Sequence, residues 1–242
     1  MDGTVLLALV GQVAFIGASL ALGVKLIALW RRTRQLPELC VGLSFLLSGG
    51  LGYLAWFLLG VAMLHEASPQ LRHALAASGL ACSGLGAIAN GIGNARIFRP
   101  GRVWPLVFVG MLGAGMAVGF GIYVRAASGH ASFWIGPLLS LPIFVWGATE
   151  ALTLWSVLRR RARLGLADPL VVNRTGQWGV ASLAVALMVA ITVASRLLHG
   201  VYPPAWVSAA GSGLCLVAAL AIWLGFFPPR AFRERLARAY AA

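Results

Sequence analysis

Apolar residues gather in seven long runs along the chain, at about residues 5–30, 39–64, 74–95, 103–124, 132–158, 177–198 and 205–227. The hydrocarbon core of a bilayer is about 30 Å thick and takes about 20 helical residues to cross. Each run meets that length. Inside lipid the backbone has only itself to hydrogen-bond with, so an apolar run this long folds as a helix. A β-barrel would instead show alternating strands of about ten residues, and no such alternation occurs. The pattern predicts an all-α, polytopic membrane protein: a seven-helix bundle over residues 1–228 and a short tail, 229–242.

The segments between the runs differ in charge from one side to the other. Arg31, Arg32 and Arg34, then Arg96, Arg99 and Arg102, then Arg159, Arg160, Arg161, Arg163 and Arg174, and finally Arg230, Arg233, Arg235 and Arg238 fall on one side. The other side holds Arg72 and Arg125, with Arg196 just inside a run. Basic residues stay in the cytoplasm, so the expected topology places the N-terminus outside and the C-terminus inside a bacterial inner membrane. Composition agrees. The chain is 60% hydrophobic and 10% charged, with a mean hydropathy of +0.87, where a soluble domain carries about 25% charged residues. The net charge of +13 comes from these clusters. They lack the interleaved aromatic face of a nucleic-acid binder, so the expected partner is the lipid bilayer and not nucleic acid.

Met1-Asp2-Gly3 opens without a basic stretch, and the first run ends in Trp30-Arg31-Arg32-Thr33-Arg34. A spanning helix is expected there, not a cleaved signal peptide. After Pro228-Pro229, Phe232, Leu236 and Tyr240 recur every four residues, with arginines on other faces. Two readings are open: a brief amphipathic helix at the cytoplasmic interface, or a frayed basic tail. Cys40, Cys82 and Cys215 lie in or beside apolar runs without metal-ligand or disulfide spacing, and are expected to pack.

A repeat at an offset of 125 residues links Lys25-Leu26-Ile27-Ala28-Leu29-Trp30 with Glu150-Ala151-Leu152-Thr153-Leu154-Trp155, each followed by arginines and an acidic–proline pair. It is compatible with two parallel three-helix units joined by a fourth helix. The preferred reading is simpler: outward-to-inward helices end in Leu, Trp and Arg for interfacial reasons.

Ionisable groups within a span are costly and mark candidate sites. Glu150 lies about nine residues, about 13 Å of helix, from Arg159, too deep to reach water easily. Asn90 and Asn94 share one face of the third run at i, i+4, and Lys25 lies at similar depth in the first. A polar cluster of Glu150 with Asn90, with or without Lys25, is the sharpest site hypothesis. The alternative is that these groups merely hold helices together, and that Lys25 snorkels to the headgroups. At the outer ends, Arg196, His199, Trp206 and Tyr123, with His65, His73, His130, Glu66, Arg125, Trp134 and Tyr202, would form a polar mouth for an anionic ligand, or simply an interfacial belt. No histidine pair has metal-ligand spacing. Glycines at 49, 50 and 52, at 79, 86 and 93, and at 115 and 119 are read as close helix contacts. Pro137 and Pro142 predict either a bend beside a cavity or a ragged helix entrance.

Helix count and orientation resemble those of microbial rhodopsins and seven-helix receptors. The rhodopsin pattern needs a lysine in the seventh helix for a retinal Schiff base, and Lys25 is the only lysine here, so retinal is not expected. The stretch Arg31-Arg32-Thr33-Arg34-Gln35-Leu36-Pro37-Glu38-Leu39, with the glycines at 49, 50 and 52, is similar to uncharacterised bacterial seven-helix membrane proteins, which implies no activity. The repeat would point to SWEET-type transporters, whose proline-glutamine motif is absent.

No cofactor is expected. The leading expectation is a non-enzymatic, receptor-like protein that binds a small apolar or amphiphilic molecule or lipid between its third, fifth, sixth and seventh spans, or a subunit of a homo-oligomer or larger membrane complex. The alternative is a small-solute or ion-coupled transporter using Glu150. No paired carboxylates or nucleophile–base spacing suggest an enzyme.

Overall fold

The seven apolar runs fold as helices that outlast their hydrophobic cores. In the computed structural model, the backbone is described for residues 3–126, 130–199 and 205–241. Within these stretches the side chains of 3–8, 64, 126, 130–133, 196, 199, 205, 208, 237, 240 and 241 lie outside the description. Helix α1 is Gly3–Thr33. The second span comprises α2 (Leu36–Ser44), a π-helix (Phe45–Gly52) and α3 (Tyr53–Leu64). Beyond it come α4 (Pro69–Phe98), α5 (Trp104–Ala126), α6 (His130–Ala162), α7 (Pro169–His199), α8 (Ala205–Phe226) and α9 (Arg230–Ala241). No strand occurs among the described residues, and seven segments are long and apolar enough to cross a membrane. The fold is the expected all-α, seven-span bundle.

Caps and turns, more than hydropathy, set the helix ends. Ser68 Oγ accepts from the Leu71 amide at 3.3 Å ahead of α4, and Asp168 Oδ1 accepts from the Leu170 amide at 2.8 Å ahead of α7. Each satisfies an amide that the first helical turn leaves free, and Pro69 and Pro169 give up no needed donor there. Gly101 and Gly165, at φ of 76° and 69°, turn the chain out of α4 and α6, a conformation that suits glycine.

Burial runs opposite to a water-soluble protein. The interior is rich in small residues such as Ala87, Ala148, Ala151, Ala184 and Ala218, all 3% exposed or less. Large apolar side chains point outward, as Val107, Met111, Val118 and Ile122 do along one face of α5. Lipid tails are as apolar as leucine, so sequestering large aliphatic groups gains little. Close backbone approach is what holds the helices.

Glycine provides that approach. A methyl group on Gly79 would lie 2.8 Å from the Trp56 ring, one on Gly86 2.6 Å from the Ser48 amide nitrogen, and one on Gly93 3.0 Å from Val41. The seven-residue glycine row of α4 is therefore its seam with the second span. On another face of α4, Gly91 meets Val109 of α5 and Ile143 of α6, so α4 has close contacts on two faces. Gly115 and Gly119 of α5 seat Leu139 and Ile135 of α6.

The seams connect into a ring. The second span packs on α1 and α4, α4 on α6, α6 on α7, α7 on α8, and α8 back on α1. Helix α5 packs on α4 and α6 and stands outside that ring. Helix α6 runs unbroken through Pro137 and Pro142, so these prolines do not mark a ragged entrance. The tail is helical and touches α7. Phe232 and Leu236 are half-buried while Arg230, Arg233, Arg235 and Arg238 are exposed, as the amphipathic reading expected. The side chain of Tyr240 lies outside the described residues.

Candidate functional site: an intramembrane cavity

Six spans arranged in a ring leave a space where opposite walls do not meet. That space is a cavity of about 500 Å³, within the size range of small-molecule sites. Its lining reaches Met63 near the end of α3 and Trp134 near the start of α6. At the arginine-rich end, Trp178 of α7 lines it and forms its floor. Phe98 of α4 meets Trp178 edge-on at 6.2 Å between ring centroids, and Phe226 of α8 lies against its other side at 6.3 Å. Rings from the ends of α4 and α8 thus flank Trp178 at this end of the cavity.

The π-helix shapes one wall. Ser48 and Gly49 sit in it, with Ser44 just before it and Tyr53 just after, and all four line the cavity. A π-helical turn is wider than an α-turn and shifts the register of the residues after it, which is why such turns recur at functional sites. Here Gly49 and Gly50 face Ser19 and Leu20 of α1, while Gly52 faces Ser83 of α4 at 2.7 Å from a would-be methyl. The widened turn is held between two neighbours by glycines that give it room.

Beyond the π-helix lies a cluster that sequence reasoning missed. Tyr53 Oη lies 3.0 Å from Cys215 Sγ and 3.3 Å from Met188 Sδ, and the Phe15 ring packs edge-on against Tyr53 at 5.1 Å. Residues of α1, α3, α7 and α8 converge there, and the phenol finds a soft sulfur partner in the apolar interior. Nearby, Trp56 Nε1 donates to Ser83 Oγ at 3.1 Å, and both line the cavity. Tyr53, Met188 and Cys215 stand alone in the sequence, without spacing that joins them.

Of the sequence candidates, Asn90 belongs to the cavity. It is 6% exposed and lines the wall beside Phe144. Asn94, one turn along α4, is fully buried, and neither its Oδ1 nor its Nδ2 has a partner among the described residues. Its carboxamide packs against Gly147 of α6.

The predicted cluster of Glu150 with Asn90 and Lys25 is not assembled. Glu150 Oε1 instead accepts from Arg99 Nε at 2.8 Å and from Trp146 Nε1 at 3.1 Å, outside the cavity lining. The Arg99 side chain climbs back from the end of α4 to meet it. Lys25 lies at another seam, its Nζ donating to the Phe226 carbonyl at 3.0 Å and standing 4.2 Å from the Phe227 ring centroid. It reaches the end of α8 and not the headgroups alone.

Of the outer groups whose side chains are described, few reach the cavity. Tyr123 stacks on His73 at 4.8 Å between α5 and α4, and Trp206 is 59% exposed at the start of α8. The side chains of Arg196 and His199 lie outside the described residues. Among the outer candidates, Trp134 alone is in the described lining. Among the described residues no three His, Cys, Asp or Glu side chains gather as metal ligands would.

The wall sets what the cavity can do chemically. Aromatic and aliphatic groups dominate, joined by the hydroxyls of Ser44, Ser48, Ser182 and Thr192 and the carboxamides of Gln12 and Asn90. No Asp, Glu, Lys, Arg or His is among the described lining residues. Comparison with family models, curated proteins and solved structures gave no match, and the geometry alone carries the functional reading.

Proposed function

We propose that this chain is a receptor-like, non-enzymatic protein of a bacterial cytoplasmic membrane, N-terminus outside, that holds a small apolar or amphiphilic molecule inside its helical ring. The observation that carries this reading is the cavity of about 500 Å³, walled by six spans and floored by Trp178. Apolar surface facing such a space is favourably covered by an apolar guest. The arginine-rich helix ends support the orientation through the retention of basic residues in the cytoplasm. The transporter reading needed Glu150 at the binding site. Its pairing with Arg99 and Trp146, away from the cavity, gives that reading no support.

The test is purification in mild detergent and then mass spectrometry of co-purifying small molecules, for the natural chain and for Val189→Trp, which fills the cavity from α7. A near-stoichiometric molecule in the former, reduced at least about tenfold in the latter, is expected. An equal amount in both would place the molecule elsewhere and overturn the proposal.

A further inference from the structure

The cavity wall is selective in what it leaves unsatisfied. Ser44, Asn90 and Ser182, on α2, α4 and α7, are 7%, 6% and 8% exposed, and all three line the cavity. None of the three side chains hydrogen-bonds to a described residue, and none is sealed away from the cavity as the polar groups of Asn94 and Ser195 are. By contrast, Ser83 and Ser140 in the same wall are satisfied by Trp56 Nε1 and the Pro137 carbonyl. A buried amide left unmatched costs about 1–3 kcal/mol, and such groups in native interiors are normally met by water or a ligand. These open groups sit toward the Trp178 floor, the part of the cavity farthest from Met63 and Trp134.

A carboxamide and a hydroxyl both donate and both accept. Together they match an uncharged oxygen function: a carbonyl, a hydroxyl or an amide. They do not match a formal charge. An ion in so apolar a place needs a counter-charge, and the described lining holds none.

We infer that the guest is a neutral, mostly apolar molecule whose single polar end, a carbonyl or hydroxyl, is seated at the cavity floor by Asn90 with Ser182, its apolar body lying against the aromatic wall toward Met63. This rests on the cavity-binding reading above and adds to it the chemistry and direction of the guest.

Three probes of one ring system test it: 2-methyl-1,4-naphthoquinone, 2-methylnaphthalene without the carbonyls, and the anion 2-naphthoate. Each is titrated calorimetrically into the protein in nanodiscs, with empty nanodiscs as reference. The quinone is expected to bind at least about tenfold tighter than the hydrocarbon, the difference one satisfied buried amide makes, and the naphthoate at least about tenfold weaker than the quinone. In Asn90→Leu, similar in branched shape, the quinone should fall to within about threefold of the hydrocarbon, whose own affinity is unchanged. The apo thermal midpoint should hold or rise, since an unmatched amide is gone. Asn90→Ser, which puts a hydroxyl in place of the carboxamide, should retain part of the preference.

Hydrocarbon and quinone binding alike in the natural chain, or naphthoate matching the quinone, would overturn the neutral-anchor assignment and leave the cavity reading standing. Failure of all three probes to bind would overturn both. A large loss of apo stability in both Asn90 variants would make Asn90 a structural strut and sink its role as anchor.

Discussion

Two seams at the arginine-rich end of the ring solve one problem in different ways. Where α1 meets α8, Lys25 donates to the Phe226 main-chain carbonyl and lies over the Phe227 ring. Where α6 meets α4, Glu150 takes the Arg99 guanidinium and the Trp146 indole. Lys25 and Glu150 are 125 residues apart, and so, within two residues, are their partners: Phe226 less 125 is position 101, beside Arg99. The first helix of each half thus reaches the end of the last helix of the other half. The six-membered order of the ring, with α5 outside it, is the order two such halves joined by a fourth span would produce. The weak repeat at Leu29-Trp30 and Leu154-Trp155, set aside on sequence grounds, has this counterpart in the contacts.

The difference between the seams lies in what each requires of its partner. A lysine at a helix C-terminus meets carbonyls that every helix leaves unpaired there, and the dipole favours its charge. The partner's identity hardly matters. Glu150 is 15% exposed and needs a cation, because an unpaired carboxylate at that depth is costly. The α6–α4 seam therefore depends on a matched pair of side chains, and the α1–α8 seam on one.

The largest expected effect comes from reversing the buried charge. Glu150→Lys sets two cations against each other and should lower stability by about 2–3 kcal/mol, less than for a fully buried pair because Arg99 is half exposed. Thermal unfolding in detergent, monitored by tryptophan fluorescence, reads this, and adding Arg99→Glu should recover at least about half of the loss. No recovery would mean that the pair does not hold the seam. Glu150→Gln keeps an acceptor for Trp146 and Arg99 but removes the charge, and should cost about 1 kcal/mol. Lys25→Met should cost only a few tenths of a kcal/mol, since one exposed donor and an exposed cation–π contact are lost. A cost from Lys25→Met equal to that of Glu150→Gln would erase the distinction between the seams.

The number of spans was legible in the sequence because lipid enforces it. Long apolar runs and the clustering of arginines report one physical constraint each, and nothing in tertiary packing can override them. The glycine row 79, 86, 93 also read correctly, since a seven-residue spacing keeps one face of a helix. The partner of Glu150 did not. Depth alone put Asn90 and Arg99 both within one helix of it, and the reach of an arginine stem back into the bundle decided between them. The π-helix was hidden for a related reason. Gly49, Gly50 and Gly52 are equally at home in an α-helical contact, and only the folded backbone of Phe45–Gly52 shows that the turn is widened. The cavity wall was least legible of all: its serines are scattered one to a turn over several spans, and only closure of the ring makes them face each other.

A wall without formal charge has an electrical consequence. Each elementary charge carried across a membrane exchanges about 2.3 kcal/mol with every 100 mV of potential. Among the described residues that line this cavity, none bears a charge to be moved, and a neutral guest brings none. Filling and emptying the cavity with the proposed guest would then be electrically silent. An energised and a de-energised membrane would leave its occupancy the same, set by the concentration of that guest in the lipid.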